Sequence, residues 1–463
     1  MTGLFGMSRQ RHVAVIDIGK TNAKLALVDL ETLTEIAVIT RPNRVQPGPP
    51  WPHFDTDGHW AFILDGLAQF HRDHRVDAIS VTTHGASIAL LETAGGLAAP
   101  ILDYEHDGPA RVAAAYDAIR PPFALTGSPR LANGLNVGAQ LHWQFSTDPG
   151  LHARTAHIVT YPQYWGHCLT GVVATDVTSL GCHTDLWCPR EGRFSDLVQT
   201  LDIADKIAPA RRSDDVIGFI LPAIAAATGL PATTPVACGI HDSNASLYPH
   251  LLTQAGAFSV VSTGTWVVVM TMRGSDPPLD PARDTLLNVN ALGQAVPSAR
   301  FMGGREFEMI QRVCPAVVSD GDVDKVLSDH IMLLPSVVGD SGPFPGAPMT
   351  WTTADPPVGS GLRSCALAFY LAMMTDTCLR LTGANGPTIV EGPFAQNPLY
   401  LDMLAAATGR TVRVSQSATG TSIGAALLFC GGGKLAQPEQ VDLRWNRVRL
   451  GEFAARWRAR VAG

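Results

Sequence analysis

Apolar residues along this chain come in short runs broken by small polar turns. Residues 12–29 read HVAVIDIGKTNAKLALVD: two apolar, partly β-branched runs, 13–18 and 25–28, flank the polar turn Gly19-Lys20-Thr21-Asn22. That pattern predicts a β-hairpin. Residues 258–271, FSVVSTGTWVVVMT, repeat the form around Ser262-Thr263-Gly264-Thr265. Two hairpins with small-residue tips, far apart in one chain, imply two related domains that each open their core sheet with a hairpin. Residues 108–119 read as helix. Residues 41–52, RPNRVQPGPPWP, read as a polar surface connector. Residues 452–461 put Phe453, Trp457 and Val461 on one helical face, which predicts an amphipathic helix docked on the body. The boundary is expected between 243 and 256, dividing the chain into 1–245 and 246–463.

Composition narrows the classes. Of 463 residues, 46% are hydrophobic and 16% charged, which excludes a disordered chain. A net charge of −7 leaves no basic excess for a nucleic-acid binder acting through bulk charge. At roughly 100–200 residues per domain the length allows two to four domains, and the repeated hairpin reduces this to two. The eight cysteines contain no CxxC pair and read as reduced, buried residues. Cys182-His183 with Cys188 comes nearest to a zinc site and lacks a second pair. Residues 1–11 lack the apolar core of a signal peptide, and the longest apolar run, 365–374, is shorter than the ~20 residues of a membrane span. A soluble cytoplasmic protein is the expectation, with no membrane or nucleic-acid partner.

The chemistry concentrates at the hairpin tips. Gly19-Lys20-Thr21 mimics the end of a P-loop, but position 14 is Ala14 and a strand-like run follows where a helix is required. A hairpin tip is a different device, since backbone N–H groups and small hydroxyls at a tight turn form an anion-binding concavity. Asp17, at the end of the first strand, would repel phosphate directly and is read as holding a cation such as Mg²⁺. Lys24 would neutralise phosphate charge. The second tip offers hydroxyls and close backbone approach, and two tips facing a cleft would clamp a polyphosphate. Between them, Asp242 follows the apolar run 236–240. It is either a carboxylate at a strand end, able to take a proton from an attacking hydroxyl, or the N-cap of a helix starting at Ser243.

DIGKTNAK at 17–24, the Gly239-Ile240-His241-Asp242 segment, STGT at 262–265, the run from Gly392 to Asn397, Thr408-Gly409-Arg410 and Ser422-Ile423-Gly424-Ala425-Ala426 occur in this order. Together they resemble the FGGY family of carbohydrate kinases, within the actin-like ATPase superfamily. The resemblance extends from about residue 12 to 430. Thr83-His84-Gly85-Ala86 and the His241-Asp242 pair are most similar to the L-rhamnulose and L-fuculose kinase branch.

The resemblance implies an α/β fold of two actin-like (ribonuclease H-like) domains, each a mixed sheet flanked by helices, with an interdomain cleft. It implies ATP and Mg²⁺ as cofactors and phosphorylation of a primary hydroxyl of a small ketose or pentulose. Asp242 would be the catalytic base and, with Asp17, a metal-linked carboxylate. Gly19, Thr21, Asn22 and Lys24 would form the first phosphate motif; Thr263 and Gly264 would form the second. His84, Gly85, Ala86, His241 and Asp242 would contact the sugar. Gly392 and Asn397 would belong to the adenosine motif, with residues 424–426 in its closing helix. A homodimer is a further expectation, with no interface legible.

One departure stands out. The family's consecutive glycines in the adenosine motif are replaced by Gly392-Pro393-Phe394, so either Phe394 stacks on the base or the pocket is reshaped. This substitution motivates the alternative of a non-catalytic sugar or nucleotide sensor on the same fold. A chaperone-like ATPase fits less well, lacking a peptide-binding extension after 430. The chain between the motifs offers His84 as a sugar contact or a core histidine, residues 103–107 (DYEHD) as a sugar-reaching or a solvated loop, and Trp143 and Trp165 as packing residues.

Overall fold

Both apolar runs of 12–29 become strands, His12–Ile18 and Asn22–Asp29, in a computed structural model that describes residues 10–313, 316–415, 420–430 and 435–462. They pair antiparallel with Asp17 opposite Lys24 and Ile18 opposite Ala23. Val13, Val15, Ile16, Leu25 and Leu27 are all fully buried. Strands covered on both faces read as continuous apolar runs, and each buried aliphatic side chain contributes about 1.5–3 kcal/mol. Thr34–Pro42 adds an antiparallel edge strand with alternating exposure, and Ala78–Thr83 adds a parallel neighbour on the other side. The resulting seven-stranded sheet is mixed.

The chain divides into two compact units. Unit 1 comprises Met1–Thr253, Leu287–Ala295 and Thr419–Leu435; unit 2 comprises Gln254–Leu286, Val296–Ala418 and Ala436–Gly463. A boundary after 245 falls inside the helix Asp242–Thr253, and the chain leaves unit 1 only where that helix ends. In unit 2 the second hairpin, Phe258–Thr263 with Val267–Met272, again has a parallel strand beside its first arm, Thr388–Glu391, followed by Val412–Val414. The core plan is therefore repeated: an antiparallel hairpin extended by parallel strands. The helix Gly361–Leu381 runs through the core of unit 2, which absorbs the longest apolar run.

Three local readings change. The connector 41–52 is not merely a polar surface loop. Trp51 is buried, its indole N–H donates to the carbonyl of Pro100 at 2.9 Å, and its ring lies 5.5 Å from that of Trp143. The segment 108–119 forms a 3₁₀ turn, Gly108–Val112, and a short helix, Ala113–Asp117. The C-terminal helix is longer than its amphipathic signature, running Arg447–Ala462. Phe453 and Trp457 are buried, and the Trp457 indole donates to the carbonyl of Leu333 at 2.8 Å. Trp143 and Trp165 are core residues as expected. Cys314 lies outside the described residues.

Candidate active site

In unit 1 the first hairpin carries Asp17 one residue before its strand ends, with Lys24 directly across on the neighbouring strand. The Lys24 ammonium stands 3.7 Å from Asp17 and 3.1 Å from Glu35, so it is shared between two carboxylates. Burial pushes the Asp17 carboxyl up to about 6; Lys24 opposes this and the charge of Asp242 adds to it. At the tip, Thr21 and Asn22 are exposed. The Gly19 amide, expected to face phosphate, instead donates to the carbonyl of Asn22 at 2.9 Å and closes its own turn. Asn43 ties the turn down from behind, donating to the carbonyl of Gly19 at 2.8 Å.

The strand Ala78–Thr83 runs parallel to the first hairpin and delivers His84 to the same end of the sheet, its amide donating to the carbonyl of Ile18 at 2.9 Å. His84 is buried among Phe54, Tyr104 and Tyr161, with ring centroids 5.0–5.2 Å apart. Burial holds the imidazole well below its usual range, at about 4, so it is neutral near pH 7. Its Nδ1 lies 2.9 Å from the Gly85 carbonyl. A carbonyl only accepts, so Nδ1 carries the proton and Nε2 is left as an acceptor. That Nε2 is buried and has no partner among the described residues. A buried acceptor without a partner is costly, and a ligand hydroxyl would satisfy it.

Gly85 is required sterically. A Cβ there would stand 2.8 Å from His241 Nε2 and 3.0 Å from Cys182 Sγ. The next residue, Ala86, has φ of 55°, a left-handed conformation that costs energy outside glycine. Gln140 holds this turn, donating to the Ala86 carbonyl at 2.6 Å.

Ile240–His241 pairs parallel with the end of the same strand, and Asp242 begins the helix Asp242–Thr253. Its Oδ1 accepts from the Ser243 amide at 2.6 Å, and about a third of the side chain is exposed. The same oxygen is 3.1 Å from His241 Nε2. Burial opposes protonation of His241, but Cys182 and Asp242 outweigh it and raise the imidazole to about 10. The Asp242 charge is also felt at Asp17, His84 and Tyr104, so these groups share one end of the sheet.

Lys20, which sequence reasoning passed over after rejecting the P-loop, lies in this cluster. Its ammonium is ion-paired with Asp103 and, at 3.1 Å, with Glu105, and it sits 4.7 Å above the Tyr104 ring. Asp103 is buried, so the loop 103–107 is anchored rather than solvated at its first residue. In the sequence Tyr104 reads only as part of the loop 103–107, and Cys182 only as a buried cysteine or a candidate zinc ligand. The unusual lysine between a glycine and a threonine in the tip, together with the acidic pair around Tyr104, was the available signal.

In unit 2 the second tip is built alike. The Gly264 amide donates to the carbonyl of Trp266 at 3.0 Å, so it too is spent within its turn, while Gly264 and Thr265 are exposed. Thr263 is not free for a ligand: its hydroxyl donates to the Glu391 carbonyl and accepts from the Phe394 amide at 3.1 Å. Gly392 meets it closely, with φ of 79° and a hypothetical Cβ only 2.0 Å from the Thr263 carbonyl oxygen. Gly304, at the start of the helix Gly303–Gln311, abuts Gly264 in the same way and escaped the sequence reading.

Phe394, expected either to stack on a base or to mark a reshaped pocket, packs inward. Phe394 is buried against Phe307 and Tyr400, at 6.3 and 5.3 Å, as part of the unit 2 core. Asn397 caps the helix Pro398–Thr408, accepting from the amides of Leu399 and Tyr400 at 3.1 and 3.3 Å. It also lines a cavity of about 520 Å³ with Phe307, Val318, Ser364, Leu399 and Trp445. The segment 424–426 lies in unit 1, where a Cβ on Gly424 would reach 1.8 Å from the Ala245 carbonyl of the helix carrying Asp242. No group of three or more His, Cys, Asp or Glu arranged for a metal occurs among the described residues, and no described helix is long and apolar enough to cross a membrane.

Comparison with known proteins follows the same division. A model described as the FGGY family of carbohydrate kinases, N-terminal domain, matches residues 12–248, and one described as carbohydrate kinase FGGY, C-terminal domain, matches 255–438. L-fuculokinase from Escherichia coli (strain K12) is 26% identical over 279 residues, spanning 57% of each chain. The chain thus matches little more than half the length of such curated relatives. A solved carbohydrate kinase from Novosphingobium aromaticivorans is 37% identical with a TM-score of 0.89, covering 97% of this chain and all of that one. A xylulose kinase from Rhodospirillum rubrum, 21% identical with a TM-score of 0.75 and 98% coverage of each chain, shares the fold.

Proposed function

Because the chain belongs to the FGGY family of carbohydrate kinases, we propose that it transfers the γ-phosphate of ATP to a primary hydroxyl of a small ketose, with Asp242 as general base. The observation that carries this reading is the meeting, at one sheet end, of a partly exposed Asp242 and the unpartnered Nε2 of His84. His84 would accept a hydrogen bond from one sugar hydroxyl. His241, cationic and beside Asp242, would donate to another. Asp242 would take the proton of the attacking hydroxyl as its oxygen closes on phosphorus. Tyr104 offers a flat apolar wall for the sugar ring or chain. The fuculokinase relatives favour an L-fuculose-like or L-rhamnulose-like ketose, with pentuloses next.

The residues fit a divalent cation and a nucleotide. Asp17 and Asp242 are hard oxygen donors, and the largely covered Asp17 is only partly balanced by Lys24. A Mg²⁺ ion bound there would neutralise charge on the transferred phosphoryl group. In unit 2 the exposed Gly264-Thr265 tip and the cavity beside Asn397 would hold phosphates and base. The sensor alternative rests on bulk at Pro393 and Phe394; burial of Phe394 in the core weighs against it, while Pro393 stays exposed. A screen of ketoses and polyols by coupled ADP release tests the reading: turnover with a ketose supports it. Calorimetric binding of sugar and ATP analogue with no turnover on any acceptor would favour the sensor.

A further inference from the structure

Behind the base segment, in unit 1, lies a polar hub that the proposed chemistry does not use directly. Asp176 is fully buried, yet its carboxylate receives four hydrogen bonds. Oδ1 accepts from the Ser179 amide at 3.2 Å; Oδ2 accepts from the Thr178 amide at 2.9 Å, the Ser213 hydroxyl at 3.2 Å and the Thr178 hydroxyl. The two amides alone would cap the short helix Val177–Leu180. The hydroxyls serve something else.

A threonine hydroxyl has one proton, and a carboxylate only accepts. The Thr178 proton is therefore committed to Asp176, and the oxygen's lone pairs face away from it. There the oxygen accepts from the main-chain N–H of His241 at 2.9 Å, a residue 63 positions further along the chain. That N–H belongs to the residue immediately before Asp242. The upstream chain is held separately: Gln163 donates to the Cys238 carbonyl at 2.8 Å, and the Gly239 amide donates to the Ser213 carbonyl at 3.3 Å. Beside the strand pairing of Ile240–His241 with Thr82–Thr83, Thr178 is the side-chain anchor of this main chain nearest the carboxylate. Among the described residues the Asp242 side chain bonds only to its sequence neighbours His241 and Ser243, so its direction follows the main chain.

We propose that Thr178, polarised by Asp176, is a positioning residue: its hydroxyl fixes the His241 peptide and thereby aims the Asp242 carboxylate at the acceptor hydroxyl. This rests on Asp242 being the base. A misplacement of about 1 Å in a reacting group can cost on the order of 100-fold in rate, so an anchor one peptide away matters even without touching substrate.

Thr178→Val keeps shape and removes the acceptor. At saturating nucleotide and the acceptor sugar found by ADP release, its kcat should fall roughly 10- to 100-fold while the sugar Kd by calorimetry stays within about threefold. Thr178→Ser, which keeps the hydroxyl, should recover kcat to within about threefold of the parent. If Thr178→Val yields no folded protein, Thr178→Cys, a weak acceptor of similar size, takes its place with the same expected fall. An unchanged kcat per folded molecule, with only a lower Tm, would overturn the proposal, as would a folded serine variant that stays slow. Asp242→Ala run in parallel separates the two readings. If it is inactive while Thr178→Val turns over normally, only the positioning role fails. If Asp242→Ala is active, or no acceptor supports turnover, the base assignment fails and the positioning role falls with it.

Discussion

The two hairpins share a backbone and differ in chemistry. In each, a glycine amide closes the tip by bonding to a carbonyl two or three residues on, and a parallel strand lies beside the first arm. At the corresponding positions before and after the tip, the first hairpin pairs Asp17 with Lys24 and the second pairs Ser262 with Val268. One tip is thus electrostatically loaded, with a buried carboxylate held above its ordinary range. The other is uncharged and knitted by Thr263 into the start of the Gly392–Asn397 run. A repeated fold element can therefore carry an ion pair in one unit and a neutral backbone contact in the other, because the pairs flanking the turn are free to vary while the turn itself is fixed.

Exchanging charge for neutrality in the first hairpin should have the largest effect. Asp17→Asn is expected to lower turnover by a factor on the order of 100 or more at pH 8. It should also stabilise the metal-free protein there. Asp17 is raised from 3.8 to about 6, so its stabilising contribution is complete below about 3.8 and is lost as pH rises through 6. At pH 8 the ionised carboxylate is a liability of up to about 3 kcal/mol, and the asparagine variant should show a higher Tm without Mg²⁺. Lower Tm at pH 8 would contradict the buried-carboxylate picture.

In the second hairpin, Thr263→Val removes both an acceptor and a donor, leaving the Phe394 amide unpaired. A stability cost of about 1–3 kcal/mol follows, and the loosened tip should also raise nucleotide KM roughly tenfold with sugar KM unchanged if that tip holds phosphate. An equal rise in both would mean that the two hairpins do not divide the ligands. The raised Asp17 also sets an acid limb. Activity should decline as pH falls through about 6, because the protonated carboxyl no longer attracts the cation, and excess Mg²⁺ should move the decline to lower pH. The smallest effect is expected from Lys24→Met. Its ion pairs are partly exposed and worth about 0.2–1 kcal/mol, so the protein should fold normally while the acid limb moves upward. A downward move would mean that Lys24 does not oppose the burial of Asp17.

Strands covered on both faces advertised themselves as apolar runs, which is why both hairpins and their tips were readable. The unit boundary was harder, since the apolar and polar spacing of a helix continues smoothly through 245, and two later segments return to unit 1. Residue type alone pointed to Asp17, His84, His241 and Asp242, which the fold brings to one end of the unit 1 sheet. The site was not legible where role depends on long-range partners. Lys20 depends on Asp103 and Phe394 on Phe307, neither of which local sequence specifies.

Asp242 as the base is tested most directly by measuring Asp242→Ala for both sugar binding and phosphate transfer. Calorimetry should give a sugar Kd close to that of the parent, while coupled ADP release with the same sugar falls on the order of 1000-fold. A variant that binds sugar and still phosphorylates it at the parent rate would contradict the assignment.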